Sequence, residues 1–131
     1  MQISVEHMGL PARNPTRLKD WYIKVLGAEL VFEKKEQPPV YFVRLPGGLM
    51  IEIYEGDFSL KEIADNAMNG WRHMALRVPT IEQAKAELAL RGVMFADPIK
   101  PAAGGGRVLF FRDPEDNLLH LVERPAGTVF Q

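Results

Sequence analysis

The sequence predicts an α+β fold made of two βαβββ modules, and three observations carry that reading. A strand-then-helix unit occurs twice with matching spacing: His73 lies 66 residues after His7, Thr80 lies 66 after Asn14, and Gly92 lies 65 after Gly27. After each helix come short segments of strand composition, broken by turns rich in Gly, Pro and Asp. The chain has 131 residues, the size of one domain and enough to bury a continuous core.

Module one is expected over residues 1–57. A short strand containing His7 is followed by Pro11 as a breaker, Asn14 as an N-cap, Pro15 at the first helical position and Gly27 as the stop. The helix between them has an apolar stripe of Leu18, Trp21 or Tyr22, Val25 and Leu26, with Arg17, Lys19, Asp20 and Lys24 facing water. Strands follow at residues 28–34, 40–45 and 49–54, and Pro46-Gly47-Gly48 makes the last two a hairpin. A linker over residues 58–69 joins the modules, and within it Ser59 and Glu62 are spaced to cap a short helix reaching Asn66.

Module two is expected over residues 70–124, with a tail at 125–131. Residues 71–78 alternate, so Trp71, His73, Ala75 and Arg77 share one face of a strand and Met74, Leu76 and Val78 the other. Pro79 breaks that strand, Thr80 with Gln83 forms a capping box, and Gly92 ends the helix. The stripe Ile81, Ala84, Leu88 and Ala89 then lies on the Met74 face and leaves His73 on the opposite side. Strand material continues at Val93 and Phe95, at residues 108–112 and at residues 118–124, with a DPEDN turn before the last. The Gly104–Gly106 run precedes a strand and not a helix N-terminus, which favours a mobile loop beside a site over a phosphate cradle.

Composition narrows the function classes. A net charge of −1 and a pI near 6.3 leave no basic stripe to neutralise phosphates, which excludes a general nucleic-acid binder. No apolar run approaches the length of a membrane-spanning helix, so no membrane association is expected. With zero Cys there is no disulfide, in keeping with a cytoplasmic protein.

Four polar residues interrupt the apolar strands in matching places. Glu52 sits between Ile51 and Ile53, and His120, 68 residues later, sits between Leu119 and Leu121. Together with His7 and His73 they occupy the first and last strands of the two modules, and the set contains all three histidines of the chain. A carboxylate on an otherwise apolar sheet face is costly unless paired or bound to a cation. Three imidazoles and one carboxylate make a good ligand set for a borderline divalent metal.

The segments DWYIKVLG, IEIYE, WRHMALRV and RDPEDNLLHLVE together resemble the vicinal oxygen chelate superfamily, which includes glyoxalase I, methylmalonyl-CoA epimerase, extradiol dioxygenases and the fosfomycin and bleomycin resistance proteins. The likeness runs from Ile3 to Glu123. It implies paired modules whose eight strands curl into an open cleft, with His7, Glu52, His73 and the residue at position 120 holding a divalent metal such as Zn, Ni, Co, Fe or Mn. Two departures stand out: His120 occupies a slot where the family commonly has Glu, and Asp116 stands where the turn commonly has Gly. The carboxylate that doubles as ligand and base in glyoxalase-like enzymes is thereby lost, and the catalytic base role falls to Glu52. One carboxylate in place of two leaves a divalent site at about +1, which strengthens its pull on an anionic oxygen.

The expected activity is therefore Lewis-acid chemistry on a small molecule with two adjacent oxygens, of the isomerase or lyase type. Metal-dependent oxygenation of the extradiol type is the alternative, and a resistance-type binding protein is the non-catalytic one. Met50, Tyr54, Trp71 and Arg77 share faces with the ligand set and are the expected substrate contacts, Arg77 by meeting a carboxylate or phosphate. Open sheet edges on each module suggest a homodimer.

Overall fold

The computed structural model describes residues 1–57 and 64–130, and the chain divides into two compact units, Met1–Leu60 and Lys61–Gln131. Unit 1 contains β1 (Met8–Ala12), α1 (Pro15–Leu26), β2 (Glu29–Lys34), β3 (Val40–Arg44) and β4 (Met50–Glu55). Unit 2 contains β5 (His73–Arg77), α2 (Ile81–Leu90), β6 (Lys100–Pro101), β7 (Arg107–Arg112) and β8 (Leu118–Glu123). Each unit is a βαβββ module with a four-stranded sheet, ordered β1-β4-β3-β2 and β5-β8-β7-β6. In both sheets the first strand runs parallel to the last, and the remaining neighbours are antiparallel.

Helix α1 follows its sequence signals closely. The Asn14 side chain accepts a hydrogen bond from the Arg17 N–H at 3.0 Å, Pro15 opens the helix, and Gly27 closes it in the left-handed region at φ 73°. Its buried face is Pro15, Leu18, Tyr22 and Val25, so Tyr22 and not Trp21 belongs to the core. It packs on β3 and β4, where Tyr41, Val43, Ile51 and Ile53 point under the helix. The alternate residues Phe42, Met50, Glu52 and Tyr54 are left on the other face, half-buried. The turn after β3 is the expected hairpin, with Gly47 and Gly48 at φ 96° and 102°.

Unit 2 departs from expectation at several points. The capping box does not form: Thr80 makes no side-chain cap, and the Ile81 N–H donates instead to Glu123 Oε2 at 2.8 Å. Arg107 bridges the same Glu123 (2.8 Å) and Glu82 (2.7 and 2.9 Å), tying the start of α2 to β7 and β8. A carboxylate that neutralises the helix N-terminus and an arginine at once outcompetes a threonine hydroxyl. Arg107 holds the Glu82 carboxyl below the usual range, while the Ile81 N–H and Arg107 do the same for Glu123. The other end of α2 is a Schellman stop, with Gly92 at φ 91° and hydrogen bonds from Gly92 N–H to Ala89 and from Val93 N–H to Leu88.

Residues near Val93 and Phe95 are not a strand. Val93 is buried and Phe95 packs against Phe111 at 5.4 Å between ring centroids, while the short edge strand falls at Lys100–Pro101. Ala89 is exposed, so only Ile81 and Leu88 of the predicted stripe are deeply buried. Trp71 lies outside β5 and is 89% exposed, and His7 stands one residue before β1 and not within it. Most of the short helix expected around Ser59 and Glu62 falls outside the described residues. No helix among the described residues is long and apolar enough to cross a membrane.

The DPEDN turn closes on Asp113, whose carboxylate accepts from the N–H groups of Glu115 and Asn117 and from the Asn117 side chain. Asp116 takes φ 64°, a left-handed position that Asp tolerates. Gly106 has a stricter requirement, because at φ 96° an added Cβ would lie 1.9 Å from the Glu123 carbonyl oxygen. Gly47 also has φ 96° but faces open space. Gly47→Ala should therefore cost only the left-handed penalty of about 1–2 kcal/mol, and Gly106→Ala at least about twice that. Urea unfolding of the two variants compares them, and equal losses would show that β7 and β8 separate freely at that point.

Candidate metal-binding residues

The structure brings the four candidate ligands together as two pairs, one in each unit, built by the same local rules. In unit 1, β4 pairs Glu52 with Gly9 on the parallel side and with Phe42 on the antiparallel side. In unit 2, β8 pairs His120 with Ala75 and with Phe110 in the same way. His7 and His73 each stand two residues before the small residue, Gly9 or Ala75, that faces the partner. Side chains two apart on an extended chain share a face, so each histidine reaches the polar residue of the neighbouring strand. His7 Nε2 lies 3.4 Å from Glu52 Oε2, and the His73 and His120 rings are 4.7 Å apart between centroids.

A phenylalanine flanks each pair. His7 meets Phe42 edge-on at 5.2 Å, and His73 meets Phe110 edge-on at 5.7 Å. Phe110 also stacks on His120, with centroids 4.8 Å apart and planes 13° from parallel. These rings repeat between the units with the same 68-residue offset as Glu52 and His120, an element of the pattern that sequence reading missed although the offset was there to be found.

The outer ring nitrogens explain how the two leading histidines are oriented. His7 Nδ1 is 2.9 Å from Glu6 Oε1, and His73 Nδ1 is 2.8 Å from Asn66 Oδ1. An imidazole that donates from Nδ1 presents its Nε2 lone pair, the usual arrangement of a metal-ligating histidine and its supporting acceptor. Glu6 and Asn66 were not recognised from sequence. With Nδ1 donating to Glu6, the Nε2 lone pair of His7 faces a carboxylate oxygen, and two acceptors at that distance need a proton or a cation between them.

His120 supplies a second indication that a cation fits this donor set. It is only 7% exposed, and neither ring nitrogen has a hydrogen-bond partner. A buried polar atom left unmade costs about 1–3 kcal/mol, and a metal bond would satisfy one of the two. Burial, followed by the charges of His73 and Arg124, pushes its pKa down to about 4. A ligand nitrogen held neutral through the physiological range binds a metal without first losing a proton. Among the described residues no three His, Asp or Glu side chains gather into one metal-binding group.

Of the expected substrate contacts, Met50 and Tyr54 share the Glu52 face of β4, and Tyr54 lies over Gly9, where an added Cβ would come within 3.3 Å of its ring. Arg77 shares the His73 face and donates to the Phe130 carbonyl. Trp71 lies in solvent, outside β5. Glu123 points to α2 on the opposite side of the sheet, the face it shares by alternation with Leu119 and Leu121.

Residues 4–121 match the profile of the Glyoxalase/Bleomycin resistance protein/Dioxygenase superfamily. The chain belongs to this superfamily. Among solved structures it is similar to a glyoxalase family protein from Enterococcus faecalis, with 26% identity, a TM-score of 0.76 and coverage of 92% of this chain and 97% of that one. It is similar at 24% identity and a TM-score of 0.73 to a glyoxylase/bleomycin resistance protein/dioxygenase domain from Frankia sp. EAN1pec, covering 97% and 96%. A third similar structure, at 20% identity and a TM-score of 0.69 with 96% and 94% covered, is a mutant of the fosfomycin resistance protein FosX from Listeria monocytogenes holding Mn(II) and 1S,2S-dihydroxypropylphosphonic acid. No curated protein matches the chain. The two βαβββ modules of this chain are the fold it shares with these structures, and the FosX mutant among them holds a divalent metal.

The depressed His120 pKa has a measurable consequence in metal-free protein. The folded chain resists protonating this ring until about pH 4, whereas the unfolded chain takes up the proton near 6.5. Its contribution to stability is therefore complete above about pH 6.5 and is lost as the pH falls towards 4. Urea unfolding across that range should show the decline, and His120→Phe should flatten it. An imidazole NMR titration placing His120 near 6.5 would contradict the burial argument.

Proposed function

We propose that this chain is a metal-dependent enzyme of the glyoxalase-like type, acting as an isomerase or lyase on a small molecule with two adjacent oxygens. The observation that carries the reading is the repeat-related pairing of His7 with Glu52 and of His73 with His120, whose two buried ring nitrogens have no hydrogen-bond partner. These four residues are the proposed ligands, and Zn, Ni, Co, Fe or Mn would suit a set of nitrogen and oxygen donors. A divalent ion bound there supplies Lewis acidity that polarises a substrate oxygen.

The chain's own residues do the rest. Glu52 is the one carboxylate among the four and takes the proton from the substrate carbon. His7 orients it, Phe42 packs edge-on against His7, and Phe110 stacks on the buried His120. Met50 and Tyr54 contact the body of the ligand from the Glu52 face, and Arg77 meets its anionic end. Trp71 remains a candidate contact only from the solvent side. A cytoplasmic homodimer is the proposed setting. Strand β2 supports the dimer, being an edge strand that leaves Leu30, Val31 and Phe32 at 39%, 40% and 57% exposure. Extradiol-type oxygenation is the second reading, because Glu52 with two of the three imidazoles would make the two-histidine, one-carboxylate set that Fe(II) oxygenases use.

Four measurements test these statements. Protein purified without added metal should contain a stoichiometric divalent ion by elemental analysis, and retention should fall as pH drops through about 6, where free imidazole charges. Retention unchanged at pH 4 would rule out the histidine ligands. On a hemithioacetal substrate, Glu52→Gln should lower kcat by about a hundredfold or more with the metal kept, since the amide still offers an oxygen but takes no proton. His120→Glu should raise activity by restoring a second carboxylate. Wild-type turnover indifferent to Glu52→Gln would remove Glu52 as the base, and oxygen uptake by the Fe(II)-loaded protein with a catechol would favour the second reading. Sedimentation at micromolar concentration should show a dimer, and a monomer alone would oppose that assignment.

A further inference from the structure

The end of the sheet in unit 2 carries two arginines that, among the described residues, form no ion pair with a carboxylate. Arg77 closes β5 and Arg124 directly follows β8. The parallel register pairs Arg77 with Val122, so Arg124 stands two residues further along and on the same face as Val122 and His120. Arg77 shares that face with His73 and Ala75. Each guanidinium-bearing residue is four positions beyond its histidine, or about 13 Å along the strand. Together with Pro79, Thr128 and Phe130 they line a cavity of about 470 Å³.

Among the described residues the partners of these two arginines are neutral. Arg77 donates to the Phe130 carbonyl. Arg124 donates to the carbonyls of Ala103 and Gly105 at 2.5 and 2.6 Å and lies 4.0 Å from the centre of the Phe130 ring. Arg107, in the same unit, binds two carboxylates. The Thr128 hydroxyl, in the same cavity, is buried with no hydrogen-bond partner. Two guanidinium forks and an unused hydroxyl in one cavity are oxyanion-binding chemistry, and a backbone carbonyl is a weak occupant for it.

We propose that Arg77, Arg124 and Thr128 form a subsite for the oxyanion group of a small molecule, and that the segment carrying Phe130 occupies it until a ligand takes its place. The Gly104–Gly106 run then acquires a role in seating the tail. An added Cβ on Gly104 would come within 2.5 Å of the Phe130 ring, so the ring rests where only glycine leaves room. The proposal deepens the preceding reading, because it rests on this face of unit 2 taking the small molecule, and it names the charge that molecule carries. A charge-assisted bond to an oxyanion is roughly twice as strong as one to a neutral carbonyl, which provides the drive for exchange.

The test uses the metal-free 131-residue chain and follows the arginine Nε–H signals by NMR during titration with inorganic phosphate, with acetate, and with chloride at matched ionic strength. Phosphate or acetate should shift the Arg77 and Arg124 signals with a saturable response, leave Arg107 unmoved and exceed the effect of chloride. Phe130→Ala removes the ring from Arg124 and should tighten that binding roughly three- to tenfold. Arg77→Gln should abolish the response, and its amide spectrum reports whether the fold is intact. Arg124→Gln provides the second loss, read in the same way. A response no larger than that of chloride, or an affinity unchanged or weakened by Phe130→Ala, overturns the proposal. Zinc binding by the same samples separates the two readings: zinc bound without a phosphate or acetate response refutes this subsite alone, whereas the converse refutes the metal ligands and leaves the subsite standing.

Discussion

The parallel pairing of the first strand of each unit with its last is the constraint on which the other features depend. It sets Gly9 against Glu52 and Ala75 against His120, and these small residues leave the polar side chains room to meet the histidines two positions earlier. A one-residue slip in either ladder would turn the whole set to the opposite face, under the helix. Burial then maintains the register, because Ile51 and Ile53 in unit 1, and Leu119 and Leu121 in unit 2, are among the best-buried residues and occupy the alternate positions. The apolar side of each strand thus holds its polar side in place.

The covering helix of unit 2 is secured by charge more than by its own cap. Its buried face is narrow, with Ile81 and Leu88 deeply placed, and Thr80 contributes no side-chain bond. Glu123 and Arg107 compensate by joining the start of α2 to β7 and β8 through a chain of charge-assisted hydrogen bonds. Glu123 belongs to β8, the strand that carries His120, so the same strand anchors the helix on one face and presents an imidazole on the other. Alternation of side chains makes the two roles compatible.

On the exposed face, orientation matters as much as position. Glu6 and Asn66 hold the Nδ1 atoms of His7 and His73, which determines which nitrogen is available for chemistry. His120 differs in having no such partner, and its isolation beside Phe110 keeps it neutral. Beyond the imidazoles the face becomes cationic at Arg77 and Arg124. Along β5 and β8 the face thus carries imidazole nitrogens at one end and positive charge at the other.

What the sequence determined by itself was the repeat, and with it the order of elements, the ends of α1 and α2 at Gly27 and Gly92, the hairpin at Pro46–Gly48 and the faces of β4, β5 and β8. These depend on spacings of two to four residues, on glycine's access to positive φ and on proline's missing N–H, all of which act between near neighbours. Periods of two and 3.6 also sufficed to select His7, Glu52, His73 and His120 as a set. The tertiary structure alone decided that Glu123 caps α2 from 42 residues away. It also decided that Phe42 and Phe110 flank the histidines, that Trp71 stands in solvent, and that Arg124 joins Arg77 beneath Phe130. Each of these requires knowing which strands lie side by side and in what register, and local sequence carries only one side of such a contact.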